Sequence, residues 1–277
     1  MALFLGSDEL AGLATPAEYV DAVREGYRQR GEGAPARPRT RITSGDPPGM
    51  LTGYTAVLPE TGAMGGYMYA AGFGAADAHF VLPLFDAESG EPLAVLDGAH
   101  MNPFKTGATG AVGVDALARE DATELGVIGS GSQARGQLRA AATIRDFETV
   151  RVFSPTRENR EGFASEMDAE LAPEVRAVDS SAAAVGEADV VITATTASEP
   201  VFDGADLPDG AHVTVMGQYD PEKREVDRTD PDEVTLFDSG GTAIETVAAG
   251  HMLYEKAHEQ GLGTEVEFTP ASQAFEG

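Results

Sequence analysis

The chain has 277 residues, enough to bury a sizeable core in one large domain or two linked ones. It contains no cysteine, which excludes disulfides, thiolate metal ligands and a cysteine nucleophile. Its 46 Asp and Glu against 19 Lys and Arg give a formal net charge of −27, a surface that repels nucleic acid and anionic membranes.

Thr15-Pro16-Ala17-Glu18 predicts a helix start, with Thr15 as N-cap, Pro16 at the first helical position and Glu18 completing a capping box. Val20, Val23 and Tyr27 give that helix one apolar face, and it stops near Gly31. Gly33–Pro48, rich in Pro, Gly and Arg, reads as an irregular connection. Met50–Leu58, Gly66–Ala71, Phe80–Asp86 and Pro92–Leu96 are β-prone runs, and their glycine-punctuated succession predicts an antiparallel sheet. Thr106–Arg119 is small, alanine-rich and helical. From there strands and helices alternate: Leu125–Ile128, a helix from Gln133, Val150–Phe153, a helix over Arg157–Leu171, Val175–Val178, Val190–Thr193 and His212–Val215. That alternation predicts an α/β fold with right-handed crossovers and a doubly wound parallel sheet. Val234–Phe237 reads as a further strand and Ala243–Gln260 as a closing helix.

The strand Leu125–Ile128 runs straight into Gly129-Ser130-Gly131-Ser132-Gln133-Ala134, a GxGxxA turn that opens a helix. Gly129 suits the tight turn, Gly131 lets backbone approach a pyrophosphate, and Ala134 lets the helix lie close to the sheet. The free N–H groups and dipole of the first helical turn favour the same anion. A ligand-free structural turn has the same pattern, so the motif gains weight from its place between a buried strand and a helix.

Cofactor type is set at the end of the second strand, where a carboxylate would bond the ribose of NAD. The segment Val152–Arg157 offers none, whereas Ser154, Thr156 and Arg157 can each donate to a 2′-phosphate; this favours NADP over NAD. Two further segments lie where such folds place reacting groups, Met216–Glu225 and Phe104–Thr109. Lys105 reads as opening the helix of small residues, where the dipole disfavours a cation unless an anion lies against it. A snorkelling surface lysine is the alternative. The five histidines lack metal-ligand spacing, and neither a GxSxG elbow nor a Walker lysine occurs.

The acidic residues are scattered and only three of the 19 basic residues are Lys, which predicts a salt-rich cytosol such as that of a halophilic archaeon. Molar salt shrinks the screening length to roughly 3 Å and quiets the self-repulsion of such a surface. The first residues, Met1–Glu9, lack a basic region and a small-residue cleavage site, and no run is long and apolar enough for a bilayer. The expectation is a cytoplasmic protein with no membrane or nucleic-acid partner.

In this order the segments Lys105–Ala118, Leu125–Ala134, Val150–Ala164, Met216–Val226 and Val234–Gly263 resemble the ornithine cyclodeaminase/mu-crystallin family, which also holds archaeal alanine dehydrogenases and ketimine reductases. The resemblance implies a Rossmann domain over 119–232, inserted into a discontinuous α+β substrate and dimerisation domain over 1–118 plus 233–277, and a homodimer. It implies hydride transfer at the α-carbon of an amino or imino acid. Carried over by position, Ser132 and Gln133 meet the pyrophosphate and Ser154 to Arg157 the adenosine ribose, with Gly129, Ser130 and Gly131 completing the cofactor-binding turn. Thr196, Met216 and Gly217 line the way to the nicotinamide, with Ser239 and Gly240 closing over it. Lys105 stands where relatives carry an arginine for the substrate carboxylate, and Arg39 is a second carboxylate ligand.

Three departures stand out. Met68 takes the place of a lysine in the family's Gly-x-Lys stretch. Tyr219 replaces the aspartate that donates a proton in cyclodeaminases, and Asp220 comes one position late, on the other face of an extended segment. Glu225–Asp227 joins Pro231–Val234 almost directly, where relatives carry a further strand and helix. The leading reading is an NAD(P)H-dependent oxidoreductase of a small carboxylate-bearing amino, imino or keto acid, with Lys105, Tyr219 and Asp220 as its catalytic groups. A cyclodeaminase-type lyase forming proline and a dinucleotide-binding protein without catalysis remain as alternatives.

Overall fold

The computed structural model describes residues 1–74, 77–217, 225–226 and 234–273. In chain order the first elements are β1 (Ala2–Leu5), α1 (Ser7–Leu10), α2 (Pro16–Gly31), β2 (Thr40–Gly45), β3 (Pro48–Leu58), β4 (Ala63–Gly72), β5 (His79–Asp86) and β6 (Pro92–Asp97). The long helix α3 (Gly98–Leu117) follows. Next come β7 (Glu124–Ile128), α4 (Ser132–Ala141), β8 (Thr149–Phe153), α5 (Arg157–Glu170), β9 (Glu174–Ala177), α6 (Ser181–Val185), β10 (Val190–Thr193), β11 (His212–Met216) and β12 (Thr235–Ser239). The chain ends with α7 (Ala243–Glu259) and β13 (Thr264–Val266). Two compact units result, one of Met1–Asn102 with Thr242–Gly277, the other of Pro103–Gly241.

The first unit is built on a seven-stranded sheet in the order β13-β1-β6-β5-β4-β3-β2, antiparallel except where β1 runs parallel to β6. Along β3 and β4, alternate residues turn inward: Thr52, Tyr54, Ala56 and Leu58 on one strand, Tyr67 and Tyr69 on the other, all buried. α7 packs on β3, β4 and β5, and α2 packs on α7. Close approach of those two helices depends on Gly26, where a Cβ would meet Ala248 Cβ and Ile244 Cγ2, each at 3.1 Å. The capping box read from the sequence is present, with Glu18 N donating to Thr15 Oγ1 and Thr15 N donating to Glu18. Hydrogen bonds from Lys256, foremost, and from Thr15 hold the Glu18 carboxyl down at about 2.

The second unit is a Rossmann-type sheet, order β9-β8-β7-β10-β11-β12, with every pairing parallel. Both faces are covered. Leu125 and Val127 of β7 join one core with Leu138, Phe163 and Met167, while Ile128 joins the other with Ala184, Val185 and Val213. Double burial is why these strands read as continuous apolar runs rather than alternating ones. His212 is buried in β11 with its ring nitrogens 2.9 Å from the hydroxyls of Thr235 and Thr214, and desolvation pulls its pKa down to about 4.

Two sequence expectations change. Gly33–Pro48 is not wholly irregular, because Thr40–Gly45 forms the edge strand β2, paired in antiparallel register with β3. Its mostly exposed residues carry no inward alternation, so periodicity had nothing to report. α3 begins at Gly98, not Thr106, and contains Pro103, whose ring removes one intrahelical bond without ending the helix. Lys105 is therefore the eighth residue of α3, beyond the first turn, and the dipole argument for an anion beside it lapses.

Candidate functional site

In the second unit the order of strands reverses between β7 and β10, the place where such sheets open a crevice at their carboxyl ends. The turn after β7 lies there. Gly129 has φ of +119°, a backbone that side chains rarely adopt, and a Cβ on it would stand 2.3 Å from the carbonyl oxygen of Ala194. Its N–H donates to Phe153 O at 2.9 Å, which ties the turn to the end of β8. Gly131 is the N-cap of α4 and brings no side chain to cap it; a Cβ there would have nothing within 4 Å. The first amides of α4 thus have no side-chain cap at the positive end of the helix. Gln133 adds a buried Oε1 with no hydrogen-bond partner among the described residues. Uncapped amides and an open approach at Gly131 suit a bound pyrophosphate, so the residues present fit a dinucleotide; the Gln133 Oε1 is an acceptor and would take a donor such as a hydroxyl, not a phosphate oxygen.

Other groups hold this turn in shape. Arg135 NH1 donates to Ser130 O at 2.5 Å, its guanidinium lies 5.2 Å from the Phe163 ring centre, and it pairs with Glu166 at 2.7 Å. Ser130 Oγ donates to Ser154 Oγ at 2.9 Å, joining the first and second strand ends. Arg160, on α5, donates to Ser154 O at 3.1 Å and to Asp179 Oδ1 at 2.8 Å. Arg135 and Arg160 escape a reading of the sequence because each acts on backbone carbonyls of the loops, and no motif spacing marks that.

The three predicted phosphate donors differ in availability. Ser154 is buried and its hydroxyl is engaged by Ser130. Thr156 is the N-cap of α5 but makes no side-chain cap bond, leaving its hydroxyl exposed. Arg157 is exposed and bonded to Glu161 at 2.7 Å, an ion pair that raises its pKa. Thr196 is exposed beyond β10, and Met216 is buried at the end of β11. Gly217 has φ of +95° and donates to Ser239 O at 3.0 Å, and Gly241 N donates to Ser239 Oγ at 3.2 Å, with Gly240 between them. Lys105 is buried, with Nζ 3.4 Å from Thr106 Oγ1. Tyr219, Asp220 and the short join near 227–232 lie outside the described residues.

In the first unit Arg39 is set among aromatic rings. Its NH1 donates to Tyr69 OH at 2.7 Å, and its guanidinium lies 4.8 Å from the Tyr54 ring centre and 5.8 Å from that of Tyr69. Tyr67 stacks on Phe80 at 5.1 Å and donates to Gly98 O at 2.5 Å. Thr52, opposite Tyr69 across the strands, has a buried Oγ1 with no partner among the described residues. Burial raises the pKa of both Tyr54 and Tyr67, so both are neutral phenols. Met68 points to the face of β4 opposite Tyr67 and Tyr69 and is 53% exposed.

Residues 13–229 match the model of the ornithine cyclodeaminase/mu-crystallin family. The chain belongs to that family. Among the family's characterised relatives, a Δ1-pyrroline-2-carboxylate reductase of Bacillus cereus is 28% identical over 241 residues, covering 68% of this chain and 74% of that protein. An alanine dehydrogenase of Archaeoglobus fulgidus is 25% identical over 326 aligned positions, covering 96% and 98%. The Thermococcus litoralis Δ1-pyrroline-2-carboxylate reductase, solved with NADH and L-proline, superposes with a TM-score of 0.87 at 27% identity, covering 95% of this chain and all of that one. These relatives are reductases and dehydrogenases of small imino and amino acids, and one of them holds a nicotinamide dinucleotide at the same fold.

Proposed function

We propose that the chain is an NAD(P)H-dependent oxidoreductase that moves a hydride to or from the α-carbon of a small α-imino or α-amino acid. The observation that carries this is the uncapped N-terminus of α4 behind Gly131, open where a pyrophosphate belongs. Similarity to two Δ1-pyrroline-2-carboxylate reductases makes a cyclic imine the first substrate to try. When bound, the nicotinamide supplies or takes up the hydride. Ser130, Ser132 and Gln133 hold the pyrophosphate with the α4 amides; Thr196, Met216 and Gly217 line the nicotinamide half, with Ser239 and Gly240 beyond it. The cations proposed for the substrate carboxylate are Arg39 and Lys105. Arg39 keeps its planar fork oriented by Tyr54 and Tyr69. Tyr219 or Asp220 passes the proton that balances hydride transfer at the substrate nitrogen. The test is oxidation of NADPH or NADH in molar KCl with Δ1-pyrroline-2-carboxylate, or with pyruvate plus ammonia. Tight nucleotide binding with no turnover on any imino acid contradicts the proposal.

The cofactor favoured is NADP. The Thr156 hydroxyl makes no cap bond, and the exposed Arg157–Glu161 pair costs little to break, so both residues can turn toward a 2′-phosphate. Arg157→Ala is expected to raise the KM for NADPH about ten-fold, the scale of one charge-assisted bond, and to leave the KM for NADH within two-fold. Equal effects on both nucleotides contradict the assignment.

The protein is proposed to act as a homodimer in a salt-rich cytoplasm. The sheet face opposite α7 exposes Ile42, Leu51, Met68, Val81 and Phe85, side chains on β2 to β5 that share one side by register. A groove of about 880 Å³ on that face is lined by Thr55, Val57, Met64, Met68, Pro83 and Phe85. So large an apolar surface suits a second copy of the chain. Sedimentation is expected to give twice the 28.8 kDa of one chain for the native protein and a monomer for Met68→Glu, which buries a charge in the contact. A native monomer at micromolar concentration contradicts the dimer.

A further inference from the structure

Glu225 lies in the second unit, is 1% exposed, and is used by nothing described so far. Its carboxylate accepts from Thr193 Oγ1 at 2.6 Å on one oxygen, and from both the N–H of Thr195 (2.8 Å) and the Thr195 hydroxyl on the other. Thr195 Oγ1 in turn accepts from Ala197 N at 3.0 Å. Burying a carboxylate is costly even with three donors on it, and here the donors tie it to one segment of the chain. What it fixes is the loop leaving β10. This loop carries Thr196, and its Ala194 carbonyl lies so near Gly129 that a Cβ there would be 2.3 Å away. Glu225 also takes Val201 N on its own backbone carbonyl at 2.8 Å, closing the far side of the same loop.

Strand order gives the loop its meaning. In a sheet of this topology the adenosine half of a dinucleotide runs over the second strand, here β8, and the pyrophosphate sits at the turn after β7. The remaining half extends to the other side of the switch point, over β10. We propose that Glu225 is a positioning residue for the cofactor: it holds the Ala194–Thr196 loop as the wall against which the nicotinamide half is bound. This rests on the dinucleotide reading above. Glu225 does not touch the cofactor; it acts through Thr195.

The experiment compares two ligands that differ only by the nicotinamide ring. The affinities of NADPH and of 2′-phospho-ADP-ribose are measured by calorimetry on the full chain in high salt, with NADH and ADP-ribose as the second pair. Glu225→Ala and Thr195→Val are each expected to weaken NADPH by about ten-fold while leaving 2′-phospho-ADP-ribose within two-fold; Thr195→Ser restores the wild-type value. Glu225→Gln keeps the shape and one acceptor oxygen, so it serves if the alanine variant does not fold. It is expected to weaken NADPH about three-fold with the nicotinamide-free ligand unchanged. Equal loss of both ligands, which a general loosening would cause, overturns the inference, and so does no change in either. A wild-type protein that binds neither pair overturns the dinucleotide reading and this inference together.

Discussion

Gly131→Ala is expected to leave the fold intact and to take away most of the dinucleotide affinity. The backbone at Gly131 has φ of −83°, which any residue adopts, and a Cβ there meets no protein atom within 4 Å. Protein packing alone gives no reason for a glycine. If the open space belongs to a pyrophosphate, a methyl group intrudes on the phosphate oxygens and pushes them off the α4 amides. The thermal midpoint should move by less than about 2 °C, the effect of a few tenths of a kcal/mol. NADPH affinity should fall about 30-fold, roughly 2 kcal/mol. Gly129→Ala is the contrasting case. There a Cβ would stand 2.3 Å from Ala194 O at φ of +119°, so stability and binding should both fall. Calorimetry of both variants, with melts in the same buffer, separates space kept for a ligand from space closed by the fold. A Gly131→Ala protein with unchanged affinity contradicts the placement of the pyrophosphate.

The second large effect is expected at Arg39. Arg39→Met removes the cation while keeping an apolar stem over Tyr54, and it should raise the KM for an α-imino acid about 100-fold, near 2.7 kcal/mol. Nucleotide affinity should stay within two-fold. Arg39→Lys should recover only part of the loss, because an ammonium lacks the planar fork that Tyr69 and Tyr54 orient. A KM unchanged by Arg39→Met, in an enzyme that still turns over, removes Arg39 from the carboxylate site.

The sequence made legible what local chemistry decides. The Gly129–Ala134 turn could be read because a positive φ and the close approach of the Ala194 carbonyl demand glycine at its first position, directly after an apolar strand. The parallel strands could be read because burial on both faces makes them uniformly apolar. β2 was hidden because an exposed edge strand keeps no inward alternation. The start of α3 was hidden because Asn102-Pro103 looks like a stop, although a proline early in a helix sacrifices a single bond.

Within the candidate site, the groups proposed to meet a ligand could be named from motifs, but the groups that hold them in place could not. Glu225 is separated from Thr193 by 32 residues, and Arg160 from Asp179 by 19, so only the folded chain brings them together. The Arg39 cluster is similar: its rings come from β3, β4 and β5, and nothing in the Arg-Pro-Arg stretch announces them.

Hydride transfer between a nicotinamide and the α-carbon of an imino acid can be followed with NADPH deuterated at the transferable position of the ring, incubated in molar KCl with Δ1-pyrroline-2-carboxylate. One deuterium is expected at the α-carbon of the proline formed, seen by mass spectrometry and proton NMR. Proline without the label, or label retained in the nucleotide while substrate is consumed, contradicts that transfer.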